Sequence, residues 1–416
     1  MAFVSLNGLT IKKSALAGAI VSLGLGVFTN QASAGFPTWY GKLNVSLNQY
    51  DLEKSNFAVA GTGFATTGAT STTEELSNWA LESNGSRLGV TGDFGLNYGL
   101  KAIYRLEYGT KVDNGSSGGQ TFTQRNIWAG IESDDFGRII AGKNDTPLKT
   151  LQTNSVLKTD IDRFNDLPLA DLGTYLVGEN RPDNVVQYSS PIWAGGLEVS
   201  LALVQGEETG VYESAAVPQD DDGIGSGYSA SIAYGKSSWY LGLAYDSNVA
   251  TTDTLRLVGE VDIAGVKIGA LYQTAERHED IDRLGGYANF VGASISQKPG
   301  VAPGGLNPLL DWDAASGTTP AYQEQTGYLV NVLWKVAGPW SVKAQYGASS
   351  STPLPTATAT YDDVDLTDLA FGVDFKLSDT AKLYSYYATI EAEGDSRINT
   401  ESTTDSTFGL GLDLRF

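Results

Sequence analysis

The chain has 416 residues, no cysteine, one methionine and a single histidine, with 27 basic residues against 48 acidic ones. This composition excludes disulfides and any zinc site built on a pair of histidines, and the acidic excess argues against nucleic acid partners. The one histidine, His278, lies in an acidic stretch and not beside a candidate serine nucleophile, so an enzyme is disfavoured.

Residues 1–34 have the pattern of a cleavable signal peptide. Two lysines precede an apolar run over residues 15–28, and small residues follow at 32–34 as a cleavage site. The run is shorter than the roughly 20 residues that a membrane-spanning helix needs. We therefore expect an exported mature chain, with one domain over residues 35–416. That chain keeps 25 of the basic residues and all 48 acidic ones, a net charge of −23.

The mature chain then consists of short strands whose polarity alternates. The first strand places Leu43, Val45 and Leu47 on one face and polar side chains on the other. Tight turns alternate with longer loops, which predicts sixteen strands with both termini on the turn side. The predicted strands cover residues 39–50, 79–94, 98–109, 122–133, 137–144, 183–190, 196–206, 226–235, 239–247, 254–263, 265–276, 323–336, 340–349, 365–377, 381–393 and 406–416.

The last strand shows the alternation most clearly. From Phe408 to Phe416 every even position is large and apolar, and every odd position is Gly, Asp or Arg. A soluble sandwich strand shows the same pattern, but its recurrence along an exported chain favours a transmembrane barrel with an apolar outer face and a polar interior. An apolar stretch at residues 284–296 has room for one more hairpin, so eighteen strands are the alternative.

Aromatic residues recur near the predicted strand ends. Such residues form girdles at the two lipid–water boundaries of membrane barrels, so we expect two girdles here. The candidates are Trp39, Tyr40, Trp79, Tyr98, Trp128, Trp193, Trp239, Tyr240, Trp334, Trp340 and Tyr384.

Several stretches resemble the strands of the Gram-negative general porins. They are residues 86–95 (SRLGVTGDFG), 99–107 (GLKAIYRLE), 125–131 (RNIWAGI), 142–147 (GKNDTP) and 181–191 (RPDNVVQYSSP), together with the terminal Phe416. The resemblance implies an all-β, sixteen-stranded antiparallel barrel in the outer membrane of a Gram-negative bacterium. It also implies a homotrimer surrounded by outer-membrane lipid, whose third external loop folds into the lumen and whose transport needs no cofactor. Periplasmic chaperones and the barrel-assembly machinery would be its partners during biogenesis, with Phe416 as the C-terminal assembly signal.

Two departures from the family pattern concern the pore. Lys143 stands where the family often has arginine, and an ammonium lacks the planar fork of a guanidinium. The Pro-Glu-Phe-Gly type of tip found in many third loops is missing, and residues 160–171 stand in its place.

A constriction between a long loop and a basic wall would carry the function. Loops as long as residues 145–182 are uncommon and usually functional. The candidate loop acids are Asp160, Asp162, Asp166, Asp171 and Glu179, and the candidate basic wall is Arg87, Lys101, Arg105, Arg125, Lys143 and Arg181. Strand parity places Arg87 inside, whereas for Arg125 it does not decide whether Ile127 or Trp128 faces lipid. No dedicated metal cage is evident.

The sequence thus predicts a porin for passive diffusion of small hydrophilic solutes and ions, with a mild cation preference. Two alternatives remain: a channel specific for sugars or organic acids, and an outer-membrane adhesin or binding barrel.

Overall fold

The structure, a computed structural model, describes residues 36–56, 72–113, 122–154, 159–193, 195–205, 225–250, 252–278, 322–353, 363–393, 395–396, 399–400 and 403–416. The predicted signal peptide and the alternative hairpin at residues 284–296 lie outside these ranges.

Most of the described chain forms one antiparallel sheet that closes on itself, because the first strand pairs with the last. Its strands are β1 (Thr38–Asn56), β2 (Thr72–Ser83), β3 (Arg87–Gly95), β4 (Leu100–Thr110), β5 (Phe122–Ser133), β6 (Gly137–Lys143), β9 (Val185–Ser189), β10 (Leu197–Val204), β11 (Gly227–Lys236), β12 (Trp239–Val249), β13 (Thr252–Ile263), β14 (Val266–Arg277), β15 (Tyr322–Ala337), β16 (Trp340–Pro353), β17 (Val364–Lys376), β18 (Ala381–Glu393) and β21 (Thr403–Arg415). Closure leaves no unpaired edge, as a strand protein in lipid requires.

Strands β2 and β3 together make one crossing of the barrel. Both pair with β1, β2 against its second half and β3 against its first residues. The described residues therefore form a closed barrel of sixteen crossings, as the sequence predicts, with the second one interrupted at residues 84–86. The interruption follows from Gly85, whose φ of +60° is incompatible with an extended strand.

One connection on the loop side is shorter than predicted. The predicted strands end at residue 247 and resume at residue 254, but β12 ends at Val249 and β13 begins at Thr252. Asn248 and Ala250 adopt φ values of +50° and +52°, and the Asn248 amide donates to Asp253 Oδ1 at 2.8 Å. These left-handed residues and the side-chain cap reverse the chain without a long loop.

The remaining elements are short. Helix α1 (Pro147–Thr150) and the two-residue strands β7 (Thr153–Asn154) and β8 (Thr159–Asp160) lie between β6 and β9, and β19 (Asp395–Ser396) pairs with β20 (Asn399–Thr400). Within the described ranges no helix is long and apolar enough to span a membrane.

The two faces of the strands divide as the alternation predicts. Phe408, Leu410 and Leu414 are exposed on the outside of β21, whereas Asp405 and Asp413 are buried inside. The girdle prediction is only partly confirmed. Trp39, Trp79, Tyr98, Trp193, Trp239, Trp334 and Trp340 are exposed, but Tyr40, Trp128, Tyr240 and Tyr384 face inward and bond or pack there.

Candidate functional site

The connection between β6 and β9, residues 144–184, folds into the barrel and is called the constriction loop. At its start the Leu148 amide donates to Ser229 Oγ on β11 at 3.2 Å. The Tyr240 hydroxyl on β12 donates to the Leu151 carbonyl at 2.9 Å. The loop therefore turns inward at once and packs against β11 and β12, which are three and four strands round the barrel from β6.

Arg256 of β13 fastens both ends of the loop. The side chain is fully buried, and its guanidinium donates to the Val177 carbonyl at 3.1 Å, to Glu179 Oε1 at 2.8 Å and to Gln152 Oε1 at 3.2 Å. Its Nε donates to Gln273 Oε1 at 2.7 Å. Since all of its nitrogens have acceptors in the loop or the wall, this arginine holds the two ends of the loop against the wall.

Arg163 makes the complementary anchor from the loop into the wall. Its guanidinium donates to Glu260 of β13 and to Asn331 Oδ1 of β15 at 2.8 Å. Its amide donates to Gln345 Oε1 at 2.9 Å, and its carbonyl accepts from Lys343 Nζ at 2.8 Å. Three strands, β13, β15 and β16, thus hold one residue of the loop.

Two apolar clusters fill the space between the loop and the wall, where the sequence predicts a polar interior. Burying a large aliphatic or aromatic side chain contributes about 1.5–3 kcal/mol, so these clusters stabilise the docked loop. One contains Leu148, Leu151, Ile161, Leu172, Tyr175 and Leu176 with Tyr240, Val258, Leu271, Leu329 and Leu366; the other contains Phe164, Leu167, Leu169 and Ala170 with Tyr50, Tyr386 and Ile390. A loop that packs in this way is a fixed part of the barrel.

The tip of the loop reaches β1 and β3. Asp166 Oδ2 accepts a hydrogen bond from Lys42 Nζ at 3.1 Å, and the Asp166 amide donates to Asp171 Oδ2 at 2.6 Å. The carboxylate lies against Gly85 at the break between β2 and β3. The loop is therefore attached on both sides of the barrel.

Burial shows where the open path runs. Inward side chains on the strands behind the loop are closed off from solvent, such as Ser229, Gln273 and Gln345. On the opposite wall, 35% of the Arg105 side chain is exposed. The open path therefore follows β3, β4, β5 and β6.

The centre of this open wall is a buried glutamate with cationic neighbours. Glu107 Oε2 accepts from the Tyr40 hydroxyl and from the Arg105 guanidinium, both at 2.9 Å, and Oε1 accepts from Arg125 Nε at 2.9 Å. Arg105 Nε also donates to the Tyr40 hydroxyl at 2.6 Å. Glu107 is not among the predicted wall residues and Tyr40 is predicted for a girdle, but both side chains face the lumen. Their strand parity was the available signal.

A β-bulge settles the orientation of Arg125. Leu106 pairs with Ile127 and Tyr108 with Gln124, so Arg125 and Asn126 together stand opposite the single residue Glu107. The extra residue turns both side chains toward the lumen. Simple alternation does not decide this orientation because it assumes a regular ladder.

A second charged cluster lies at the two ends of the loop. Asp145 Oδ1 is 2.8 Å from the Arg181 guanidinium and 3.3 Å from Lys149 Nζ. Arg181 Nε donates to Asn126 Oδ1 at 3.1 Å, and Asn126 Nδ2 donates to Asp145 Oδ2 at 2.8 Å. This cluster joins the predicted wall residue Arg181 to the bulge in β5.

Two predicted wall residues lie away from the constriction. Lys101 is on the inner face but at the turn end of β4, where its ammonium is 3.4 Å from Asp134. Lys143 pairs in register with the outward Ile127, so the strand directs it outward, and its ammonium pairs with the exposed Asp183 at 2.7 Å. The prediction that Lys143 lines the pore is therefore wrong.

The predicted loop acids differ in what they do. Asp162 is buried and not on the lumen surface: its carboxylate accepts from the Phe164 and Leu172 amides at 3.0 and 2.8 Å. Asp171 accepts from the Gly173 amide at 2.8 Å and so shapes the turn beside the tip. Glu179 pairs with Arg256, which leaves Asp166 as the acid nearest the basic wall.

The loop environment moves two acids in opposite directions. Burial raises the pKa of Asp166, but Lys42, Arg125 and Arg87 outweigh it and hold that pKa well below its usual value. Burial raises the pKa of Asp160 well above its usual value, and the nearby Asp162 and Glu179 carboxylates raise it further. Asp166 is therefore a fixed anion of the constriction.

No group of three or more metal-ligating side chains occurs among the described residues. What the site offers is a water-accessible gap between a wall of arginines and a docked loop with an ionised tip. Such a gap imposes a transverse electric field on any solute that passes, without chemistry on the solute.

The comparisons with known proteins agree with this fold. A family model described as Gram-negative porin matches residues 18–395. An outer membrane porin protein of Bordetella pertussis is 29% identical over 192 residues, which are 44% of this chain and 46% of that protein. The chain thus matches about half the length of this curated relative.

Solved outer-membrane proteins share the architecture at low identity. The anion-selective porin of Comamonas acidovorans has a TM-score of 0.56 and 16% identity, covering 92% of this chain and 99% of its own. The in-vitro folded trimer form of OmpT from Vibrio cholerae has a TM-score of 0.53 and 15% identity, covering 92% and 100%. With the family match over most of its length, the chain belongs to the Gram-negative porin family.

Proposed function

We propose that the protein forms a water-filled outer-membrane channel for passive diffusion of small hydrophilic solutes and ions, without a cofactor. The observation that carries this proposal is the docked constriction loop, which closes one side of the lumen and leaves the other side open and charged. Along the open wall Arg87, Arg105 and Arg125 face the ionised Asp166 at the loop tip. A hydrated dipolar solute can align in this field, whereas an apolar solute cannot replace the ordered water.

The proposed ion selectivity is a mild cation preference. The mature chain expected from the sequence carries 48 acidic against 25 basic residues, and an acidic surface concentrates cations at the mouths. At the constriction, however, the described cations Lys42, Arg87, Arg105 and Arg125 surround the two acids Glu107 and Asp166. The two regions act in opposite directions, which keeps the preference weak.

The proposed working form is a homotrimer in outer-membrane lipid. The trimer form of OmpT supports this assembly by analogy of fold. We further propose export through a cleaved signal peptide at residues 1–34, and assembly through periplasmic chaperones and the barrel-assembly machinery.

The test is single-channel recording of the detergent-purified mature protein in a planar bilayer with a salt gradient. The proposal expects stepwise openings that close in threes and a reversal potential slightly on the cation side. Folded, heat-modifiable protein that forms no channels would contradict the open pore and would favour the alternative of a binding barrel.

A channel specific for organic acids is the second candidate, and Arg87 favours it. Among the described residues of the predicted basic wall, the others are ion-paired, whereas Arg87 has no hydrogen-bonded or ion-paired partner. An unpaired guanidinium in a pore is suited to binding a carboxylate. Saturable block of the current by one small carboxylate, abolished in Arg87→Gln, would favour this candidate over general diffusion.

A further inference from the structure

We propose that Gly85 and Lys42 form a latch that holds the tip of the constriction loop against the barrel wall and so keeps the pore open. The proposal rests on the proposed channel function, because its main readout is current through the pore. It assigns a role to a strand break that simple barrel architecture does not require.

The first observation is the space at Gly85. A Cβ built on this residue would lie 2.3 Å from Asp166 Oδ2 and 2.4 Å from Asp166 Cγ. The φ of +60° also places the residue in the left-handed region, which favours glycine. Any larger side chain at position 85 must therefore displace the Asp166 carboxylate from this position.

The second observation is that side chains support the break between β2 and β3. A gap in the ladder of a membrane strand leaves backbone groups that need other partners. Ser86 Oγ accepts from the Asn44 amide at 3.0 Å, and Asn84 Nδ2 donates to Ser46 Oγ at 2.7 Å and to the Tyr384 hydroxyl at 3.1 Å. Side chains thus hold the break in place where the Asp166 carboxylate lies against it.

The third observation is the electrostatic clasp on the tip. Asp166 has a φ of +66°, an unusual value for a non-glycine residue, and its amide is held by Asp171. Lys42 is 8% exposed and pairs with the Asp166 carboxylate from β1. In register Lys42 stands opposite Arg87, so the clasp lies at the edge of the open path. A tip that leaves this position would swing into that path.

The first experiment compares single-channel records of Gly85→Ala and Lys42→Met with the wild type. The matched control is Gly95→Ala at the end of β3, in the same crossing of the barrel, where an added Cβ meets nothing within 4 Å. Losing one partly exposed ion pair should raise the closed-to-open ratio of Lys42→Met about fivefold. Gly85→Ala should show the same excess of closures, and Gly95→Ala should behave as wild type. Open fractions equal to wild type in both latch variants would overturn the proposal.

The second experiment cross-links the latch covalently. Because the chain has no native cysteine, the two introduced cysteines can pair only with each other within one chain. Asp166 Cβ is one bond of about 1.5 Å from Cγ. The two Cβ atoms of Gly85→Cys/Asp166→Cys would therefore lie within about 4 Å, as in a disulfide. Oxidation should give the cross-link in folded barrels and a low closed-to-open ratio, and reduction should raise that ratio. Failure of folded protein to cross-link would overturn the latch.

The two readouts separate the proposals. If wild-type protein forms no channels while the cysteine pair cross-links, the proposed channel function is contradicted, but the contact between the loop tip and the wall is supported. If wild-type channels open normally but neither cross-linking nor excess closures appear, the latch fails alone. If Gly85→Ala does not fold, Lys42→Met and the cysteine pair still decide.

Discussion

Glu107 is the residue on which the open wall of the constriction depends. Its side chain is 3% exposed and binds two arginines and the Tyr40 hydroxyl. Hydrogen bonds between charged groups contribute about 1.5–3 kcal/mol each, so this glutamate fixes the positions of both guanidinium groups. It also offsets part of the positive charge that a passing ion meets.

Replacing Glu107 by glutamine should shift selectivity toward anions. The substitution keeps the shape and one acceptor but removes a negative charge beside Arg105 and Arg125. A unit charge near a water-filled path changes ion energies enough to alter the cation-to-anion permeability ratio by about two- to fivefold. The measurement is the reversal potential in a potassium chloride gradient. The control is Glu393→Gln, an exposed position at the end of β18. An equal shift in both variants would mean that overall charge, and not the position of Glu107 in the constriction, sets the selectivity.

At the scale of the element, the constriction loop behaves as an internal layer of the barrel. Arg256 enters it from the wall and Arg163 enters the wall from it. Around these two arginines the loop buries its apolar side chains in the two clusters that it forms with the wall. Its stability should therefore depend on buried pairing, which a single substitution can test.

Glu260→Gln should destabilise the docked loop strongly. Removing one partner of a buried ion pair leaves the other charge uncompensated, which costs about 3–5 kcal/mol. The Arg163 side chain is 3% exposed and that of Glu260 is fully buried. The expected result is faster proteolysis of the loop in folded protein and a lower denaturation midpoint. The double variant Arg163→Met/Glu260→Met should recover much of the loss, because it removes both charges. Additive losses would show that the pair is not coupled.

Asp160 makes the stability of the loop depend on pH. Because its folded pKa is raised, Asp160 stabilises the loop below its unfolded pKa of about 3.9 and loses that contribution as pH rises through the folded value. Asp160→Asn should therefore raise the denaturation midpoint at pH 8 relative to wild type, with the difference vanishing toward pH 4. The exposed Asp134→Asn serves as the control. A gain that is the same at both pH values would exclude a titrating Asp160.

Asp166 has the opposite dependence. Since its folded pKa is lowered, its contribution is present above about pH 3.9 and is lost only as pH falls through the folded value. The loop tip should therefore stay attached across the neutral and mildly acidic range.

At the scale of the whole molecule, the barrel closes at a seam between the two ends of the chain. The Gly41 amide donates to the Phe416 carbonyl at 2.8 Å, and the Phe416 amide donates to the Gly41 carbonyl at 3.1 Å. The Phe416 ring lies so close over Gly41 that an added Cβ would be 2.3 Å from the ring. The terminal residue therefore belongs to the folded structure, beyond the assembly-signal role that the resemblance implies.

Deleting Phe416 should lower the yield of folded barrel even without assembly factors. Two seam hydrogen bonds and the ring contact are lost where closure must be completed. The measurement is the heat-modifiable fraction after refolding into lipid vesicles. Phe136→Ala is the matched control, because this aromatic is exposed in a turn on the same side of the barrel. Refolding equal to wild type would restrict Phe416 to a signalling role.

Local patterns along the chain are sufficient to predict the barrel. Period-two alternation identifies the outer face of every regular strand. The alternation of short turns and long loops predicts the number of crossings and the end of the barrel at which both termini lie. The same alternation identified the inward direction of Arg87 and Arg105. These features are local, because a strand's two faces and its turn residues are set by neighbours in the chain.

The constriction, in contrast, depends on contacts that form only when distant parts of the chain come together. The direction of Arg125 depends on a bulge, that of Lys143 on register, and the burial of Asp162 on how the loop folds back. The role of Gly85 depends on a carboxylate 81 positions later in the chain. Each of these features depends on contacts between distant segments of the chain. The apolar part of the inner wall, against which the loop packs, also has no sequence signal of its own, because its strands alternate in the same way as any buried strand.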